Sequence, residues 1–410
     1  TRAFGPMIGW MGGWGLIAAT VIVLSNLAAV AVDFFYILLA QLTGQDWIAE
    51  LTTNLWINIP TTLVFIAVAA WISYRGMNAT KVFQYVLVGF QVAVLLLFAI
   101  MALTSSQPND PTPITWQMFN PAGIDTFSAF AAGISLSIFV FWGWDVTLTM
   151  NEETTDPKKV PGRGATWTVL VIIALYLAVS LGVIYWAGVG TTGLGAGNPE
   201  NQESIFAVLS GPIMGPLAML MSLAILSSSA ASLQSTMVSP ARTLLAMGYY
   251  KALPSSFAKI SARFMSPSVA TFAAAAAAAG FYVITRLLSE NALWDTITAL
   301  GLMICFYYGL TALACVWYFR GELFDNARNF FCKFLAPLIG GIVLLVMFFA
   351  TAIESMNPEY GSGSEIGGVG MVFILGVGVL LLGVAIMLWM RLRNPAFFRG
   401  ETIRTRKLLK

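Results

Sequence analysis

The chain has 410 residues, of which 58% are hydrophobic and only 10% charged, and its mean hydropathy is +0.80. A soluble domain carries about 25% charged residues, so the composition excludes one and specifies a membrane protein. Net charge is +2 and histidine is absent, which removes Ser-His catalysis, histidine zinc sites and a histidine pH switch.

Apolar stretches long enough as helices to cross about 30 Å of hydrocarbon recur ten times, near 9–38, 57–74, 82–104, 125–150, 165–189, 213–239, 268–289, 293–319, 334–353 and 368–391. No segment between them is long enough for a separate soluble domain. The first span carries Asp33 toward its outer end, where its carboxylate is expected to reach the interface. The third, VLVGFQVAVLLLF, carries Gln91.

The fourth span is the unusual one. It enters through small and polar residues and reaches FVFWGWD at 139–145, then VTLTMNEETTDPKKVP. A carboxylate near the bilayer centre costs at least about 2.5 kcal/mol, so Asp145 must face protein, water or a cation. Gly143 weakens the helix by about 1 kcal/mol relative to alanine. Together they predict an interruption, of the kind that exposes backbone groups to a solute in secondary transporters. Phe139, Phe141, Trp142 and Trp144 would close a pathway or face an ammonium through cation-π attraction of about 0.5 to 2 kcal/mol, or pack against helices and lipid. After the span, Glu152, Glu153, Asp156 and Lys158 make a cytoplasmic loop that either caps helices or gates.

In the sixth span Ser228, Ser232, Ser235 and Ser239 follow steps of four, three and four, one helical face. Such a stripe either lets helices approach closely or lines a pathway. The alanine run 273–279 predicts a thin, closely packed helix. In the following span Tyr307 and Tyr308 are open to a pathway or an interface role. Cys305, Cys315 and Cys332 show no CxxC spacing and read as small apolar filler.

Lysine and arginine are retained on the cytoplasmic side, and of the 21 basic residues only Arg286 falls in a loop on the opposite side. Residue 1 and the C-terminus are therefore both expected in the cytoplasm. The basic tail 392–410 reads as a retention signal and not as a nucleic-acid or phosphoinositide patch. Interrupted helices come in pairs in inverted-repeat folds, and only one is visible. With five spans per repeat, its sister would lie two spans upstream of Thr1.

RAFGPMIGWMGGW at 2–14, FWGWDVTLTMNEETTDPKKVP at 141–161 and SPARTLLAMGYYKALP at 239–254 resemble the amino acid/polyamine/organocation (APC) superfamily of permeases. The resemblance implies an all-α polytopic membrane protein with the leucine-transporter-like inverted-repeat fold, its ten transmembrane helices being the third to twelfth of twelve. Residues 1–104 would be the remainder of the first repeat, 125–319 the second repeat, and 334–391 two additional helices. It also implies that Phe139 is an outer gate over the solute, that Gly143 to Asp145 form the unwound segment, and that Gln234 and Thr236 lie nearest the specificity position. Ser228, Ser232 and Ser235 would flank the solute or an ion.

Gln91 stands where some proton-coupled relatives carry lysine, and a glutamine cannot titrate. The expected function is a secondary permease moving an amino acid by alternating access across the cytoplasmic membrane, with a polyamine or other organic amine as the alternative solute. The non-transport alternative is a receptor or channel component. An enzyme is not expected, because no nucleophile and base pair or metal cluster appears; nor is a nucleotide-driven pump, because no GxxxxGK loop exists. No cofactor or nucleic-acid partner is expected; the coupling ion, proton or sodium, is left open.

Overall fold

The computed structural model describes residues 1–76, 81–124, 126–144, 154, 156, 159–198, 201, 204–288 and 292–404. In chain order the main helices are α1 (Pro6–Thr43), α2 (Leu55–Arg75), α3 (Lys81–Leu103), α4 (Phe127–Val140), α5 (Val160–Ala187) and α6 (Ile205–Met214). They continue with α7 (Ala218–Thr236), α8 (Val238–Tyr249), α9 (Ser268–Leu288), α10 (Ala292–Tyr318), α11 (Ala336–Glu354) and α12 (Val379–Arg393). The only strands among the described residues are Glu365–Ile366 and Val369–Gly370, an antiparallel pair in the turn before α12.

Nine stretches among the described residues are long and apolar enough to cross a membrane, and each answers to one of the ten expected spans. The exception is the fourth. Its helix, α4, has only 14 residues, about 21 Å, too short to cross the hydrocarbon. The sixth span differs in another way: it runs from Ile205 to Tyr249 and is broken twice. Pro216 sits in the turn between α6 and α7. Pro240 lies in the first turn of α8, where its missing N–H leaves the Thr236 carbonyl without the donor that would continue α7. The helix stops at Thr236 and restarts at Val238. The one residue between them, Met237, keeps helical dihedrals at φ −56° and ψ −25°.

The chain forms two compact units, one of residues 1–26, 126–142 and 236–410, the other of residues 27–125 and 143–235. In the first, α4 packs through Ile134 and Ile138 against Cys305 of α10 and Met347 of α11. A second cluster joins the start of α1 to the end of α12, where buried Trp10 meets Ala252, Met387 and Phe397. Beside it the Trp14 indole N–H donates to the Val379 carbonyl at 3.0 Å. Gly383 makes room, since a Cβ there would stand 2.2 Å from the Trp14 ring. Ala274, Ala275 and Ala278 of α9 are buried, as expected of the alanine run.

In the second unit the core is built from α3, α5, α6 and α7, with Phe98, Trp186, Leu209 and Met221 at its centre. The large exposed side chains are apolar. Trp167, Leu170 and Leu177 of α5 and Val346, Phe349 and Ile353 of α11 face outward, which is stable only where the surrounding solvent is hydrocarbon.

Candidate functional site

Thr126 caps α4 by accepting the Ala129 N–H at 3.2 Å. The helix runs regularly to Val140. The Phe141 N–H still bonds the Ser137 carbonyl at 3.1 Å, but the Trp142 N–H reaches only to Phe139, three residues back, at 2.9 Å. Phe141 has left the helical well at φ −90° and ψ 5°, and Gly143 turns to φ +107°. A side chain tolerates that angle only at a cost of order 1 to 3 kcal/mol. The interruption therefore falls at Phe141–Trp144, where aromatic side chains surround the one residue that permits the turn.

A side-chain tie holds the turn. The half-buried Trp142 indole N–H donates to the hydroxyl of Tyr307 on α10. Tyr307 is itself fixed: it is 4% exposed, lies edge-on to Tyr308 with ring centroids 4.7 Å apart, and has its carbonyl bonded by the Thr311 hydroxyl at 2.7 Å. On the α1 side Gly15 lies close enough that a Cβ would come within 3.2 Å of the Tyr307 Cβ. Of the other aromatic candidates, Phe139 and Trp144 are half-buried and Phe141 is exposed.

Asp145, Glu152, Glu153 and Lys158 lie outside the described residues. Asp156 is exposed, and its carbonyl accepts the N–H groups of Lys159 and Val160 at 3.2 and 3.0 Å. The N-cap position of α5 is Lys159, which makes no side-chain cap.

The second unit carries a different polar arrangement. Gln84 on α3 donates its amide N–H to the Gln234 side-chain oxygen on α7 at 2.8 Å. One heptad further along α3, Gln91 donates to the Ser227 hydroxyl, at 3.4 Å, one heptad back along α7. The two contacts are rungs on antiparallel helices, about 10 Å apart. Ser73, near the end of α2, donates to the Gln234 backbone carbonyl at 2.8 Å. Gln234 is 5% exposed, and its side-chain nitrogen is buried without a partner.

Since Ser73 is in the last turn of α2 and Gln84 in the first turn of α3, Gln234 is level with helix ends. Gln91 and Ser227 are the polar pair near mid-helix. Ser235 turns its hydroxyl back onto the Ala231 and Ser232 carbonyls at 3.0 and 3.3 Å. Ser228, Ser232 and Thr236 are half-buried.

Sequence reasoning therefore missed Ser73, Gln84 and Ser227. The signal was available: two glutamines seven residues apart on a span with few other polar groups. It also missed Asp295, the only fully buried acid among the described residues. Asp295 accepts the Ser362 N–H at 2.9 Å and the Ser362 hydroxyl at 2.7 Å, so it anchors the turn ahead of α12. Asp33, expected at the interface, is half-buried and accepts from the amide of buried Asn58 at 3.2 Å. Among the described residues no group of three acidic, cysteine or histidine side chains gathers to hold a metal.

Residues 1–389 match the family model described as amino acid permease. The chain belongs to the amino acid permease family. It is 26% identical over 295 residues to a methylthioribose transporter of Bacillus subtilis (strain 168), covering 67% of this chain and 58% of that protein. A branched-chain amino acid permease of Lactococcus lactis subsp. cremoris is 26% identical over 271 residues, 63% of this chain and 55% of its own. The D-serine/D-alanine/glycine transporter of Escherichia coli (strain K12) is 24% identical over 324 residues, 76% of this chain and 63% of its own.

The chain thus matches between 55% and 63% of the length of these curated relatives. An all-α permease fold and a multi-pass membrane protein follow from the family and from the nine apolar stretches among the described residues.

Proposed function

We propose that this permease is a secondary transporter that carries an amino acid across the cytoplasmic membrane by alternating access and performs no enzymatic chemistry. The observation that carries this reading is the interruption of α4 at Phe141–Trp144, held by Trp142 on Tyr307. A helix that stops inside a span presents peptide groups where a solute needs them, and aromatic side chains around the stop suit a gate with few rotamers. Phe139, Phe141 and Trp144 line the pathway in this reading, with Asp145 beside them. Gln234 and Thr236 enter this reading through the resemblance, as the residues nearest the specificity position. Gln91 and Ser227 mark the uncharged mid-helix position, with Ser228, Ser232 and Ser235 near it in sequence. The loop from Glu152 through Asp156 to Lys158 is a gate on the cytoplasmic side, and the distribution of basic residues supports residue 1 and the C-terminus on that same side.

Relatives named for branched-chain amino acids and for D-serine, D-alanine and glycine support an amino acid as the solute. The test is uptake by the full-length protein in proteoliposomes, under an imposed proton or sodium gradient, across amino acids, polyamines and methylthioribose. Accumulation of one or a few amino acids under one of the two gradients is expected. No accumulation of any solute under either gradient would overturn the reading.

A further inference from the structure

The ends of α10 and α12 share an arrangement that transport does not explain. Arg320 lies over the Trp317 ring at 5.0 Å from the centroid, and Arg393 over the Trp389 ring at 4.8 Å. Both rings are about half exposed, at 52% and 49%. The start of the chain touches both ends: Phe4, ahead of α1, meets Trp317 with centroids 6.4 Å apart, and Met7 in the first turn of α1 lies 3.9 Å from the Arg391 guanidinium. Arg320, Arg391 and Arg393 are all exposed.

Charge balance separates these three arginines from their basic neighbours. Lys333 is paired with Glu322 at 2.6 Å and Arg399 with Glu401 at 2.9 Å. Arg320, Arg391 and Arg393 form no ion pair among the described residues; Arg391 lies on Met7, and Arg320 stacks on the Trp317 ring that meets Phe4. Unpaired like charges on a surface favour an anionic partner. A guanidinium stacked on an indole retains its in-plane N–H groups for a phosphate. Arg320 uses one of them, at 3.0 Å, on the Trp317 carbonyl.

The exposed Trp317, Trp389 and Leu392 beside them are apolar, so the surface is greasy at the level of the rings and cationic at the level of the arginines. Free phosphate fits only the second half of that description. A phospholipid fits both, and indoles prefer the headgroup level of a bilayer.

We propose that Arg320, Arg391 and Arg393, with Trp317 and Trp389, form a surface that holds anionic phospholipid headgroups. The surface stands independently of the transported solute. The test is native mass spectrometry of the full-length protein in detergent, with equal phosphatidylglycerol and phosphatidylcholine. The wild type retains phosphatidylglycerol preferentially. Each single variant, Arg320→Gln, Arg391→Gln or Arg393→Gln, lowers that preference about fivefold, and the triple variant about a hundredfold. The paired bases serve as the control: Lys333→Gln with Arg399→Gln leaves the preference unchanged.

Three results would overturn the proposal. They are an undiminished preference in the single variants, an equal loss in the control pair, and displacement of the lipid by millimolar inorganic phosphate, which would mean a site for the free anion only.

Discussion

Two helices of this permease are interrupted, and for opposite reasons. Between α7 and α8 the break is imposed: Pro240 has no N–H to give Thr236. Close by, the Gln234 carbonyl accepts the Ser73 hydroxyl, and the helix restarts after the single residue Met237, itself fully buried. At the end of α4 no proline intervenes. Gly143 permits the turn, nothing lies within 4 Å of where its Cβ would be, and one side-chain hydrogen bond from Trp142 to Tyr307 holds it. Both breaks fall where the chain passes from one compact unit to the other, at 142/143 and 235/236. A break imposed by a proline persists whatever its neighbours do. A break that is permitted and tied by a side chain can be untied, which is what a gate requires.

The most direct way to break this comparison is to substitute at both interruptions. Gly143→Val places a β-branched residue at φ +107°, with strain of order 1 to 3 kcal/mol, while open space rules out a clash as the cause. Uptake by the full-length protein is expected to fall tenfold or more, with membrane insertion unchanged. Pro240→Ala returns an N–H to α8, and a change in uptake of less than about twofold is expected. Equal effects of the two substitutions would show that the breaks do not differ in kind.

The tie itself comes next. Trp142→Phe and Tyr307→Phe each keep a ring and remove one partner of a hydrogen bond, a loss of about 1 kcal/mol, or roughly fivefold in the uptake rate. Because both act on one bond, the double variant is expected to be no worse than either single one. Additive losses would mean that the two side chains act separately.

These expectations also show what the sequence made legible. Nine of the spans could be read from hydropathy because a bilayer demands about 20 apolar residues of any helix that crosses it. The interruption of α4 was readable because Gly143 among large rings contradicts a regular helix. The break at Met237 was overlooked although Pro240 is visible, because hydropathy is blind to a missing N–H. Partners were the least accessible part. Nothing local distinguishes Tyr307 from Tyr308, and only packing against Gly15 and the reach of Trp142 single out the first. Asp295 has no local sign of burial either: Ser362, far along the chain, folds over it.

The amide rungs of the second unit are expected to show in stability and not in uptake. Gln84→Leu deprives the buried Gln234 side-chain oxygen of its donor while its nitrogen is already without a partner. An uncompensated buried polar group costs about 1 to 3 kcal/mol, so melting in detergent is expected to fall by about 1 to 3 °C. In a double-mutant cycle, Gln234→Leu is expected to couple to Gln84→Leu by about 0.6 kcal/mol, the ordinary worth of an interhelical hydrogen bond in a membrane. Gln91→Leu, across a contact of 3.4 Å, is expected to change stability by less than about 0.5 kcal/mol. If Gln91→Leu were instead the more damaging, the mid-helix rung and not the helix-end rung would be what holds α3 to α7. The contacts of Ser73 and Gln84 with Gln234 would then be incidental to the stability of this unit.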